Sequence, residues 1–335
     1  MKAIKFFAIS AMAAAMITSC SSEDELSQSN YPSDNIVRVT AGVNNAKTRA
    51  EGAGTPLEQP LSLTVVNKNA PKYTYTDKVF SKSSGDWACS ETLLWQKSDA
   101  LVDIVAFAPA QTGKFNGVYA NESIQPIAYS VASDQSTSSA NNDLLYYYAK
   151  DFNPGESLDK GKLKIQFNHA FCMIDINVTL GTEFNKPNVL DDSPIVKVTL
   201  GGTKIAANVN VTNAASVVTA SEEAAATDIT TTKGSFTPAE NADKKADPEA
   251  NAISRFSCIA IPQKVAANTF KVSLMTADKL YEWTSDKEIT LQSGYRYTLN
   301  LSMGNDVVLL KGGSDNGGIT ATPWGPGTGG SLETD

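Results

Sequence analysis

The sequence has very little histidine, and this scarcity limits the chemistry that it can perform. Its single histidine is His169, whereas histidine is the usual proton carrier near neutral pH and the commonest metal ligand. No H-E-x-x-H, G-x-S-x-G, Walker or EF-hand pattern occurs, and no C-x-x-C pair supports a zinc site. The sequence therefore predicts a protein that is not an enzyme and that uses no cofactor or metal.

Clustered positive charge is also lacking. The chain has 28 Lys and Arg against 36 Asp and Glu, which gives a formal net charge of −8. Nucleic-acid binding requires clustered Lys and Arg, so no nucleic-acid partner is expected. Hydrophobic residues make up 41% and charged residues 19% of the chain, which is ordinary for a globular protein and argues against a wholly disordered one.

The N-terminus has an apolar run that is too short to span a bilayer. Behind two lysines, Phe6–Ile17 is apolar and rich in Ala and Met, and small residues then lead to Cys20. This pattern predicts a lipoprotein signal peptide over residues 1–19, with Cys20 as the acylated first residue. The alternative is a plain secretory signal with an incidental cysteine. Residues 21–25 resemble the acidic signal of surface-exposed lipoproteins, so the cell outer membrane and the cell surface are the expected location.

Three cysteines remain if Cys20 carries lipid, and an odd number in an exported protein leaves at least one unpaired. Cys172 shares a face with alternate apolar residues of the run Phe171–Leu180. This parity predicts that Cys172 is a small buried hydrophobic residue. A bridge between Cys172 and Cys258 is the alternative, and no pairing is proposed for Cys89.

Past residue 35 the chain alternates apolar and polar residues over many short runs, with no long helical pattern. A period of two with one apolar face is typical of half-buried antiparallel strands. Short strands separated by Gly, Pro, Asn and Asp turns indicate β-sandwiches. The sequence therefore predicts an all-β fold. The runs that carry this prediction are Ile36–Val43, Leu61–Val65, Val196–Leu200, Phe270–Leu274 and Tyr295–Met303.

Composition suggests one domain boundary and two long surface loops. Asn, Pro and Asp cluster near Gly181–Pro194, so domains are expected over residues 50–185 and 186–335. Residues 131–142 are polar and low in complexity, and residues 213–251 are rich in Ala, Thr, Glu and Asp. Both segments are predicted to be surface loops.

Within 213–251, Ser221–Thr227 is expected to form one or two helical turns. The whole segment is expected to be mobile because it has little apolar surface to bury.

Other candidate sites have simpler interpretations. Gly312–Gly318 lacks the Lys of a phosphate loop and the ligand spacing of a calcium loop, which favours a plain turn. Asp191 and Asp192 are predicted to be solvated, because nothing forces their pKa values apart. Tyr146–Tyr148 could stack on a sugar, but a strand with its tyrosines divided between core and surface is favoured. His169 is interpreted as a hydrogen-bonded structural residue that precedes a core strand.

The motifs of the mature chain, taken in order, resemble those of the Bacteroidales fimbrillins, the subunits of type V pili. Each motif alone is weak, but the ordered set covers nearly the whole mature chain. The motifs are the lipobox leader, Lys47–Ala50, Leu94–Trp95, Val102–Pro109, Phe167–Ile174, Ile261–Gln263, Leu291–Leu301 and Ile319–Trp324.

The resemblance implies two tandem transthyretin-like Greek-key β-sandwich domains and an exported lipoprotein precursor that is lipidated at Cys20. It implies that residues 20–49 are a propeptide containing the first strand, which a trypsin-like, Arg-specific protease removes by cutting between Arg49 and Ala50. A strand from another subunit would then replace the first strand. The residues of the displaced strand's apolar face are Val37, Val39, Ala41 and Val43.

The C-terminal tail departs from the pattern of stalk subunits, which donate a strand to their neighbour. Residues 325–335 contain one aliphatic residue and several Gly and Pro breakers, so they cannot form an apolar-alternating strand. A tip or accessory subunit is therefore as compatible with the sequence as a stalk subunit.

The resemblance implies a structural pilus subunit that serves adhesion or colonisation. Its expected partners are other fimbrial subunits, the outer membrane through the lipid of the precursor, the processing protease, and a host or bacterial surface ligand. The alternative function is that of a surface-exposed glycan-binding lipoprotein.

Overall fold

A computed structural model describes residues 30–44, 55–110, 119–120, 123–138, 142–181, 184, 191–239, 251–304, 306–309 and 319–324. Strands are by far the commonest regular structure among these residues and helices are few, which confirms the predicted all-β class. The helices are one turn each, a 3-10 turn at Pro71–Tyr73 and α1 at Pro154–Ser157. No helix in these ranges is long and apolar enough to cross a membrane.

The first twelve strands lie before residue 181. They are β1 Val39–Val43, β2 Thr55–Pro56, β3 Leu61–Val66, β4 Tyr75–Ser83, β5 Asp86–Cys89, β6 Val102–Ala108, β7 Tyr119–Ala120, β8 Ser123–Ile124, β9 Ile127–Ser130, β10 Leu145–Phe152, β11 Leu163–His169 and β12 Cys172–Leu180.

The remaining strands lie after residue 196. They are β13 Lys197–Gly201, β14 Ala206–Val209, β15 Val218–Ala220, β16 Ile229–Thr230, β17 Thr232–Thr237, β18 Ile253–Ala260, β19 Lys264–Val265, β20 Lys271–Met275, β21 Leu280–Thr284, β22 Ile289–Thr290, β23 Tyr295–Met303, β24 Val307–Leu309 and β25 Thr320–Pro323.

The first sheet contains eight strands in the order β2-β1-β11-β10-β6-β3-β4-β5. Its pairs are antiparallel except for β1 and β11, which run parallel. Strand β5 at the far edge approaches β1, so the sheet folds over its own apolar face. The buried side chains of this face form a first core cluster, which includes Leu63, Ile104 and Phe167.

The second large sheet has the order β17-β18-β12-β23-β24, and β25 also pairs with β23. Strands β12 and β23 run parallel in register from Met173↔Arg296 to Leu180↔Met303. A four-stranded sheet, β16-β13-β20-β21, and a three-stranded sheet, β15-β14-β9, supply further side chains to the same second core cluster. Two short pairs, β19 with β22 and β7 with β8, complete the described strands.

Strand β12 belongs with the C-terminal strands, although the predicted boundary at 185/186 assigns it to the first domain. Its hydrogen-bonded neighbours are β18 and β23, and Ile174, Ile176 and Val178 are fully buried in the second cluster. Strand β12 is therefore part of the second cluster, which also includes Val105 and Phe107 of β6. The domain bounds 50–185 and 186–335 stay a prediction. Alternation predicts which face of a strand is buried, but it does not identify the strand's neighbours.

The segment 213–251 is not the single long loop that its composition predicts. It contains β15, β16 and β17, and residues 221–227 form turns and a bridge rather than a helix. Its last part, 240–250, lies outside the described residues. The prediction was wrong because β17 is an edge strand held by backbone pairing to β18, which does not require an apolar alternating pattern.

Candidate functional site

The first described segment, residues 30–44, begins with a turn that fixes the direction of β1. Asn35 has a φ of 59° and donates from its backbone N–H to the Pro32 carbonyl at 3.0 Å. The Asp34 carboxylate accepts from the backbone N–H of Ile36 at 3.1 Å and from the Arg38 guanidinium at 2.9 Å. These hydrogen bonds lower the pKa of Asp34 to about 2. Because the ion pair is exposed, it orients the chain more than it stabilises the fold.

The segment is bonded to the first sheet on both of its edges. On one edge β1 pairs with β11 in register from Val39↔Leu163 to Val43↔Phe167. On the other edge the backbone N–H of Val37 donates to the Leu93 carbonyl at 2.9 Å, and β2 pairs with the end of β1. The segment therefore occupies a groove between β11 and Leu93–Trp95, rather than lying on an open surface.

The side chains that point into this groove are the ones that the alternation predicts. Val37 is 4% and Val39 is 3% exposed, and both belong to the first core cluster. Ala41 and Val43 are half-buried and pack against the rim of the same cluster. Burial of each valine contributes about 1.5–3 kcal/mol to folding. Removing the segment would uncover part of the first core cluster, to which Leu93, Trp95, Leu163, Ile165 and Phe167 also belong.

The walls of this groove were not predicted from the sequence. Leu163, Ile165 and Phe167 alternate with Lys164 and Gln166, and all three are fully buried. This period of two is as clear as that of β1, so it could have identified β11 as a strand. It could not have identified β11 as the neighbour of β1, because the pairing joins residues that are far apart in sequence and runs parallel.

The residues predicted for lipidation and cleavage lie outside the described residues. Cys20 precedes them, and Arg49 and Ala50 fall in the connection 45–54 between β1 and β2. The structure places the two ends of this connection together, since Val43 pairs with Thr55. At the last described residue of β1's segment, the Asn44 side-chain amide donates to Asn168 Oδ1 at 2.7 Å.

The tyrosines of β10 divide between the two cores and form no exposed platform. Tyr146 and Tyr148 pack against the second cluster and Tyr147 against the first. Burial raises the pKa of all three hydroxyls. The favoured interpretation, a strand with its tyrosines on opposite faces, agrees with this placement, and the sugar-stacking face does not.

His169 is a hydrogen-bonded structural residue, as predicted. Its Nδ1 lies 2.7 Å from Asp143 Oδ2, and its ring stacks on Trp324 with centroids 3.8 Å apart. In the described ranges no group of three or more His, Cys, Asp or Glu side chains is placed to hold a metal ion.

The other candidates also have structural explanations. Asp192 is exposed and pairs with Lys233 at 2.9 Å, and this hydrogen bond lowers its pKa. Gly312–Gly318 lies outside the described residues. Cys172 and Cys258 are fully buried free thiols. Cys172 Sγ donates to the Ala260 carbonyl at 3.2 Å, so the predicted buried hydrophobic role is confirmed and the alternative bridge is not formed.

The chain is similar to known proteins both in sequence and in fold. Residues 44–324 match the model of a family described as fimbrillin-like. A search of curated proteins finds no match.

Three solved structures with a similar fold come from the genus Bacteroides. A proposed cell adhesion protein from Bacteroides ovatus superposes with a TM-score of 0.59 at 16% identity, over 86% of this chain and 97% of that one. A proposed cell adhesion protein from Bacteroides uniformis gives a TM-score of 0.55 at 13% identity, over 88% and 99%. A fimbrial protein from Bacteroides vulgatus gives 0.51 at 15% identity, over 86% and 99%. At these identities the likeness shows the shared fold.

Proposed function

Because the chain belongs to the fimbrillin-like family, we propose that it is a structural subunit of a cell-surface pilus that serves adhesion. The observation that carries the proposal is the seating of residues 30–44 in a groove of the first sheet, with Val37 and Val39 buried. The precursor is exported as a lipoprotein acylated at Cys20. Assembly begins when the chain is cut after Arg49.

The cut changes how strongly the first strand is held. While residues 45–54 connect β1 to β2, the strand is present at high effective concentration, and a strand from another subunit rarely displaces it. Cutting between Arg49 and Ala50 makes β1 a separate peptide, held only by its side-chain burial and its hydrogen bonds to β11 and Leu93–Trp95. Its departure also takes Cys20, and with it the lipid, from the folded protein.

The emptied groove is suited to accept a strand of another subunit. The β11 edge would present the N–H and C=O groups that pair with Val39–Val43 in the precursor, and the exposed floor would be apolar. Strand addition uses these two features, backbone pairing for affinity and alternate side-chain pockets for specificity. The partners are therefore other fimbrial subunits.

Both a stalk position and a tip or accessory position in the pilus are compatible with this subunit, and the composition of residues 325–335 favours the second. Residues 325–335 contain four glycines, one proline and a single aliphatic residue, so they cannot supply an apolar alternating strand. A subunit that accepts a strand without donating this tail fits the tip or an accessory position.

The test is N-terminal sequencing of subunits purified from surface fibres. Chains that begin at Ala50 are expected, and an Arg49→Ala strain should accumulate uncut precursor and lose the protein from its fibres. Arg38→Ala is the matched control, because Arg38 lies in the same segment and its ion pair with Asp34 is exposed. Normal fibres from the Arg49→Ala strain, or fibre subunits that still begin at Cys20, would contradict the proposal.

A further inference from the structure

His169 lies at the end of the first sheet and is held there from one side. It is the last residue of β11, where it pairs with Leu145 at the start of β10. Its side chain is 11% exposed, and its Nδ1 lies 2.7 Å from the Asp143 carboxylate. Asp143 lies two residues before the start of β10. The imidazole plane is therefore fixed by a hydrogen bond within the first sheet.

The other side of this ring is covered by a residue that the second sheet carries. Trp324 stacks on His169 with ring centroids 3.8 Å apart and planes 12° apart. Its backbone N–H donates to the Gly294 carbonyl at 2.6 Å, and it follows β25, which pairs with β23 from Thr298↔Thr320 to Tyr295↔Pro323. Trp324 thus connects a strand of the second sheet to a residue of the first.

Strand β25 has few other side-chain contacts that could hold it. Ala321, Thr322 and Pro323 are exposed, and Thr320 is half-buried. Ile319, just before the strand, is 2% exposed. The side-chain anchors of β25 are therefore Ile319 at one end and Trp324 at the other.

The same place is the junction between the two sheets. Only Ala170 and Phe171 separate β11 from β12. The backbone N–H of Ala170 donates to the Leu144 carbonyl at 2.8 Å, and that of Gly294 donates to the Phe171 carbonyl at 2.9 Å. The residues that position His169 and Trp324 thus also form the backbone hydrogen bonds of the junction.

We propose that Asp143, His169 and Trp324 form a clasp that couples the terminal strand β25 to the junction between the two sheets. While β25 is paired with β23, the Trp324 ring stays stacked on His169 and the backbone hydrogen bonds of the junction stay formed. When β25 separates from β23, the Trp324 ring leaves His169, and the backbone hydrogen bonds of Ala170 and Gly294 open more often. A partner that binds or displaces β25 would in this way change how readily the first sheet moves relative to the second.

The test is hydrogen exchange, resolved to single amides, in the full chain and its variants. Trp324→Ala and His169→Ala are each expected to speed exchange at Ala170 and Gly294 about tenfold, the factor expected for the loss of an aromatic contact of this kind. The double variant should be no faster than His169→Ala alone, because His169→Ala already removes the stacking contact with Trp324. His169→Phe keeps a ring beneath Trp324 but loses the hydrogen bond to Asp143, so it should retain more of the protection than His169→Ala and less than the parent.

Trp283→Ala is the matched control. Trp283 also packs on the second cluster, with its ring edge on Phe270, but it lies on β21, away from the junction. It should speed exchange in β20 and β21 and leave Ala170 and Gly294 unchanged. The clasp is refuted if Trp324→Ala frees β25 without affecting these two amides or if the effects of Trp324→Ala and His169→Ala add. It is also refuted if His169→Phe protects the two amides no better than His169→Ala, or if Trp283→Ala speeds their exchange equally.

Discussion

At the scale of single residues, two glycines share a left-handed backbone but differ in their surroundings. Gly85 has a φ of +95° and no atom within 4 Å of the position that a Cβ would take. Gly202 has a φ of +85°, and a Cβ there would clash with the Thr269 carbonyl oxygen. The first glycine is required only by its φ, whereas the second is required by both its φ and the close approach of the backbone.

This difference predicts unequal effects of the same substitution. Gly85→Ala should lower the free energy of unfolding by about 1–2 kcal/mol, the cost of a left-handed L-residue. Gly202→Ala adds a clash with backbone and should lower it by about 2–5 kcal/mol. Urea denaturation of the two variants checks this, and equal midpoints would show that the contact at Gly202 relaxes freely.

The cysteines give a second residue-scale prediction. Burial raises the pKa of the Cys172 and Cys258 thiols, and both side chains are fully buried, whereas Cys89 is half-buried on edge strand β5. Because the thiolate is the reactive form, iodoacetamide should label Cys89 in the folded protein at mildly alkaline pH. It should label Cys172 and Cys258 only after unfolding. Mass spectrometry of the labelled peptides measures each site, and comparable native labelling of Cys172 would contradict the burial.

At the scale of elements, alternation predicted the strands that carry one apolar face, and it failed where something else holds the backbone. Strands β1 and β23 were predicted within a few residues of their observed bounds. Gln135 lies in the segment 131–142, which was predicted to be a surface loop, yet it is fully buried. Its amide donates to the Ile259 carbonyl at 2.9 Å and accepts from the Ile259 N–H at 2.8 Å.

The Gln135 side chain thus takes the place of a neighbouring strand beside Ile259, where the pairing of β18 with β17 has ended. No hydrophobic pattern can reveal such a residue, because its role depends on where Ile259 lies in space. The same reason explains the groove of the candidate site. Its occupant β1 was predicted from its own alternation, whereas its walls depend on a parallel pairing between distant residues.

The strands within residues 213–251 predict which backbone amides of this segment exchange slowly with solvent. The backbone N–H groups of Thr227, Thr230 and Thr231 donate to Thr203, Ser133 and Val198 at 2.8, 2.7 and 2.9 Å. These amides should exchange slowly with solvent, because opening them requires several strands to separate. Those of the exposed turn at 213–216 should exchange quickly. Hydrogen exchange read by mass spectrometry checks this, and fast exchange throughout 213–239 would restore the original prediction of a mobile loop.

At the scale of the whole molecule, the two core clusters share strands. On β6, Ile104 and Ala106 point into the first cluster, while Val105 and Phe107 point into the second. Strand β9 precedes β10 in the chain, yet it pairs with β14 of the second half. The buried Gln135, which follows β9 in the chain, hydrogen-bonds to the backbone of Ile259 in β18. The second cluster is therefore completed by residues from the first half of the chain, whereas the residues of the first cluster all lie before residue 170.

Shared strands predict that the two clusters unfold together. Leu163 and Leu299 are fully buried, one in each cluster, so Leu163→Ala and Leu299→Ala should each lower the free energy of unfolding by about 2–5 kcal/mol. If the clusters form one cooperative unit, each substitution must lower the urea midpoint of both, although the two leucines lie on different sheets. Pulse hydrogen exchange during urea unfolding measures this directly, because peptides from β3 report on the first cluster and peptides from β23 on the second. Both peptides should convert at one urea concentration in the parent protein and shift together in each variant. Independent clusters would behave differently, since Leu163→Ala would then shift only the β3 peptide and Leu299→Ala only the β23 peptide.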